Sequence, residues 1–70
     1  MAKKTVRQII AERLKKHREK ANLSQEYVAN TIGIQRPAVS EIEAGKRKVS
    51  AEEIIKFSKL YGVKVFKLLP

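Results

Sequence analysis

Seventy residues suffice for one small domain and leave no chain for a second core or a deep catalytic cleft. The absence of cysteine excludes disulfide staples and thiolate metal sites, and the single His17 has no histidine or cysteine with which to share a metal, so no metal or other cofactor is expected. Sixteen Lys and Arg against seven Asp and Glu give a net charge of +9, which calls for a polyanionic partner, either nucleic acid or an anionic membrane surface.

Half of those cations fall within the first twenty residues, and Lys46-Arg47-Lys48 makes a second cluster. No apolar run is long enough for a membrane span or a signal peptide, so a soluble, cytoplasmic chain is expected.

Residues 1–4 are polar and basic and read as a frayed end. From residue 5 to 21 Val6, Ile9, Ile10, Leu14 and Ala21 recur at three- and four-residue steps with Arg and Lys opposite, which predicts a first amphipathic helix. Asn22 can take the left-handed conformation that lets the chain leave it. His17 lies at the edge of the apolar stripe and reads as a partly exposed packing residue.

A second helix is predicted over 24–32, capped by Ser24 and burying Val28, Ala29 and Ile32. Gly33 supplies the left-handed residue that closes it, and Ile34 then drops into the core. A third helix follows at once over 36–44, with Gln35 at the cap position and Pro37 in the first turn, where its missing N–H costs little. Val39 and Ile42 point inward with Ala38 beside them, leaving Arg36, Pro37, Ser40, Glu41 and Ala44 on the outer face.

Beyond the basic loop, Ser50 with Glu53 three residues later forms a capping box, so the Glu52-Glu53 carboxylates start a helix over 51–61 and do not form an acid–base pair. Ile54, Phe57, Ser58 and Tyr61 face in, and Gly62 ends the helix. The tail admits two readings: a fifth helix over 64–69, or a short strand from its β-branched content. In either, Val63, Val65 and Leu68 cover the core, while Phe66 and Leu69 stay exposed as an apolar patch suited to subunit contact.

The sequence Leu23-Ser24-Gln25, Ala29, Ile32-Gly33-Ile34, Val39-Ser40, Ile42-Glu43, Ala44-Gly45-Lys46 resembles the helix-turn-helix of the phage repressor and Cro family, the XRE family. The likeness runs from about Arg13 to Leu69 and implies an all-α, compact four- to five-helix bundle of the lambda repressor type that binds double-stranded DNA. Its pattern loosens in the tail, where relatives often carry Ser or Thr in place of Lys64 and an acid in place of Phe66.

The family's docking places the third helix in the major groove. There Arg36 can offer paired donors to guanine, Glu41 can accept from cytosine, Ser40 can bond base or phosphate, and Pro37 suits a thymine methyl. The resemblance further implies a phosphate contact for Gln25 and a structural ion pair between Arg18 and Glu43. Lys46, Arg47 and Lys48 follow as a grip on the neighbouring backbone, and Lys3, Lys4 and Arg7 form either a DNA-tracking arm or a solvated tail. Family members usually pair into homodimers on near-palindromic operators, so a dimeric repressor is expected.

The segment from Arg36 to Glu53 is also similar to domains found alone as antitoxins or ahead of a metallopeptidase domain. A second expectation is therefore an antitoxin or adaptor acting through a protein toxin or metallopeptidase, with DNA autoregulation secondary. Membrane binding through the first helix competes with that helix's need to complete the bundle. Catalysis is not expected, because Ser24, Ser40 and Ser50 have capping or polar-face roles and no base beside them.

Overall fold

Side-chain acceptors set the start of three of the four helices. In the computed structural model, which describes residues 3–70, α1 is Val6–Lys20, α2 Gln25–Ile32, α3 Arg36–Glu43 and α4 Ala51–Tyr61, followed by a single 3-10 turn at Val65–Lys67. Thr5 caps α1 in a reciprocal box with Gln8: the Gln8 N–H donates to the Thr5 hydroxyl at 3.1 Å and the Thr5 N–H to Gln8 Oε1 at 2.8 Å. Ser24 accepts from the Tyr27 N–H at 3.0 Å, and Ser50 and Glu53 repeat the reciprocal box at the start of α4. Helix α3 alone starts without a side-chain cap, relying on Pro37 in its first turn.

The turn between α2 and α3 is three residues long because Gly33 takes φ +81°, a conformation that a side chain resists. The Ile34 N–H then reaches back to the Ala29 carbonyl at 3.0 Å, and Ile34 packs on the core. Asn22 leaves α1 at φ +58°.

Leu14, Val28, Ala29, Ile32, Val39, Ile42, Ile54, Phe57 and Leu68 form one buried cluster, with contributions from every helix and from the tail. Burying side chains of this size stabilises the fold by roughly 1.5–3 kcal/mol each before entropy is subtracted. Val63 and Val65 pack against the cluster, and Phe66 and Leu69 remain outside it.

Several expectations need correction. Val6 continues the apolar stripe of α1 but is 60% exposed, since it lies on the rim of a cleft against the loop after α3 and not over the core. Ala21 is exposed because it caps the helix just as the backbone turns away. The tail is neither a full helix nor a strand: Lys64 offers no capping acceptor, and Leu68, fully buried one residue after the 3-10 turn, draws the chain down onto the core. Arg13 of α1 donates to the Leu69 carbonyl and pins the end of that tail. The expected frayed segment includes residues 1–2, which lie outside the described residues; Lys4 pairs with Glu12 at 2.8 Å.

Candidate nucleic-acid interface

Helix α3 turns Val39 and Ile42 fully inward and leaves Gln35, Arg36, Pro37, Ser40, Glu41 and Ala44 exposed. No described segment of the chain covers that outer side. An open notch beside its N-terminus is lined by Glu26, Asn30, Gly33, Gln35, Arg36 and Pro37. Of the side chains expected to read bases, Arg36 and Glu41 thus project free of any ion pair among the described residues.

The angle at which α3 is presented depends on one polar corner. Arg18 Nε donates to Glu43 Oε2 at 2.7 Å and Nη2 to Glu43 Oε1 at 3.1 Å, while Nη1 donates to the Leu23 carbonyl at 2.8 Å. The Gln25 amide donates to the same Glu43 Oε1 at 3.1 Å. The carboxylate therefore joins α1, the start of α2 and the end of α3, and Arg18 extends the junction to the turn after α1. Side-chain exposures of 12% for Arg18 and 4% for Glu43 put the pair largely out of water, where a two-pronged geometry is needed to offset desolvation. The hydrogen bonds to Glu43 raise the Arg18 pKa above its ordinary value despite burial. The neighbouring Tyr61 hydroxyl is pushed up, chiefly by burial and secondarily by the Glu43 charge. Gln25 keeps its second amide N–H for another acceptor, and the Glu43 contact fixes its orientation.

The basic loop divides. Arg47 donates from Nη1 and Nη2 to Glu53 at 3.1 and 3.0 Å, and again to the Lys48 carbonyl at 3.1 Å, whereas Lys46 and Lys48 are exposed. Arg47 is thus tied to the capping box of α4 while its side chain stays 37% exposed. The Arg47 hydrogen bonds, helped by the Ser50 N–H, hold the Glu53 carboxyl below the usual carboxylate range. The sequence carries a signal for this pair, since Glu53 belongs to a capping box and an arginine stands six residues before it. The Thr5–Gln8 box was equally readable from its spacing.

His17 sits half-buried beside α4 and the tail, and burial, then Lys20, Lys16, Lys67 and Arg13, lower its pKa from the ordinary 6.5. Among the described residues no helix is long and apolar enough to cross a membrane.

Comparison with known proteins agrees with this geometry. A helix-turn-helix family model matches residues 14–68. Control protein C.SmaI of Serratia marcescens is 33% identical over 64 residues, covering 91% of this chain and 76% of that protein. Control protein C.BamHI of Bacillus amyloliquefaciens is 44% identical over 50 residues, covering 71% and 62% respectively. The crystal structure of the restriction-modification controller protein C.AhdI from Aeromonas hydrophila superposes with a TM-score of 0.83 at 31% identity, covering 89% of this chain and 94% of that one. With the fold, the turn and the free outer face of α3 all in agreement, the chain belongs to the XRE family of helix-turn-helix DNA-binding transcriptional regulators.

Proposed function

We propose that the chain binds a near-palindromic operator as a homodimer, with α3 of each copy in the major groove, and represses the genes beside it. By likeness to the controller proteins, those genes belong to a restriction–modification system. The observation that carries the reading is the bare outer face of α3, with Arg36, Pro37, Ser40 and Glu41 exposed on a scaffold held rigid by the Arg18–Glu43 corner.

In this reading Arg36 donates to guanine O6 and N7, Glu41 accepts from a cytosine amino group and rejects acceptor-only edges, and Ser40 and Pro37 contact the adjoining base or phosphate. Gln25 offers its remaining N–H to a phosphate, and Lys46 and Lys48 grip the strand beyond α3. Arg47 supports that grip from behind by fixing the loop on Glu53. Exposed Ile55, Phe66 and Leu69 supply apolar area for a second copy.

Selection of binding sites from a random duplex library at physiological salt tests all of this together. A symmetric site with half-sites about one helical turn apart is expected. Arg36→Ala should lose roughly 1–3 kcal/mol on the selected site and relax preference at one base pair. Recovery of no enriched sequence, or strict one-to-one stoichiometry on the selected duplex, would overturn it.

A further inference from the structure

The pairing of Arg47 with Glu53 leaves Lys46 and Lys48 as the exposed cations of the loop after α3, and Arg7 of α1 lines a cleft together with Lys48. Gly45 lies against the first turns of α1: a Cβ there would stand 3.6 Å from Gln8 Cγ. Between the loop and α1 runs a cleft of about 600 Å³ whose walls include Val6, Arg7, Ile10, Lys48 and Val49. None of its lining residues is acidic. The adjoining cleft on the far flank of Gln8 contains Glu12 and Glu43, both already paired with cations.

Among the described residues Arg7 and Lys48 take part in no ion pair, although they line the same cleft. An anion seated between two such cations would be attracted by both. The aliphatic rim is also uncovered, with Val6 60% exposed. A sugar–phosphate strand fits both properties, its phosphate facing the cations and its deoxyribose the aliphatic rim. Gly45, two residues beyond the end of α3, is part of the lining, so the cleft adjoins the end of that helix.

We propose that Arg7 and Lys48 together clamp the DNA backbone just outside the base pairs that α3 reads. The clamp rests on the DNA reading above and makes the start of α1 part of the interface. It lengthens the footprint without adding base preference, because phosphate contacts carry no sequence information.

The test is salt-dependent binding, by fluorescence anisotropy, to the library-selected duplex and to the same duplex trimmed base pair by base pair from its outer ends. Each phosphate contact contributes about −0.9 to the slope of log affinity against log salt, or about threefold in affinity between roughly 50 and 200 mM. Arg7→Gln and Lys48→Gln should each flatten the slope by about that amount on the full duplex, with Arg7→Lys retaining it. On the trimmed duplex Arg7→Gln and the unchanged chain should coincide. Thermal melting of Arg7→Gln close to that of the unchanged chain shows that the fold is intact.

An unaltered slope for Arg7→Gln on the full duplex, or a loss that persists after trimming, would overturn the clamp while leaving the reading of α3 in place. Binding of no duplex by the unchanged chain would overturn both. Chemical shift changes at Arg7 and Lys48 on titration with inorganic phosphate alone, saturating below the level at which duplex binds, would assign the cleft to a small anion instead.

Discussion

Two arginine–glutamate pairs of nearly the same local geometry do different work in this molecule. Arg18 and Glu43 are separated by 25 residues in sequence, are 12% and 4% exposed, and hold three helices in register. Arg47 and Glu53 are six residues apart, are 37% and 14% exposed, and join a loop to the helix it leads into. Both place two guanidinium nitrogens on one carboxylate, and in both the hydrogen bonds raise the arginine pKa. The energetic weight lies in what each pair leaves behind when broken. Loss of Arg18 strands a charge away from water and frees the end of α3, whereas loss of Arg47 leaves Glu53 capping α4 through the Ser50 N–H.

The contrast can be broken most easily at the buried corner. Arg18→Met should cost roughly 3–5 kcal/mol in denaturant unfolding, because Glu43 would keep only the Gln25 amide. A loss no larger than that of an ordinary surface substitution would show the two pairs to be equivalent. Arg47→Ala should lower stability by at most about 1 kcal/mol, since its pair is partly solvated. Its duplex affinity should fall through loosening of Lys46 and Lys48, and the salt slope should change less than it does for Lys48→Gln.

Acid sharpens the comparison further. The folded Glu53 pKa lies below its unfolded value, so its contribution is present above the unfolded pKa and is lost as pH falls through the folded one. Urea midpoints measured across the acid range should show that loss in the unchanged chain and a smaller one in Arg47→Ala. The smallest effect belongs to His17. With its folded pKa below 6.5, the unfolded chain takes up the proton first, and stability should decline slightly as pH drops through about 6.5. His17→Gln should flatten that decline without altering the melt at neutral pH.

Local chemistry made most of the fold legible. Ser24, Ser50 and Gly33 act within a turn of themselves, and the inward faces of α2 and α3 follow from a 3.6-residue period. Val6 departs from the helical pattern's expectation because periodicity says which side of a helix is apolar and not where along its length the neighbours stop. The tail was ambiguous because its six residues carry no cap, and only the depth of Leu68 decides their course. At the candidate interface, exposure of Arg36, Ser40 and Glu41 follows from helical phase, but the distribution of Lys46, Arg47 and Lys48 does not. Adjacent residues in a loop have no period, so the choice of Arg47 for Glu53 is settled by three-dimensional reach.

Glu43 Oε1 receives both Arg18 and Gln25, and under the proposed docking this sharing ties DNA contact to mechanical stiffness. A phosphate that draws on the spare N–H of Gln25 polarises an amide already fastened to the joint between α1 and α3. Occupancy of the groove would then tighten the hinge on which the reading head is mounted, and amides around Leu23 and Ala44 should exchange with solvent more slowly when duplex is bound.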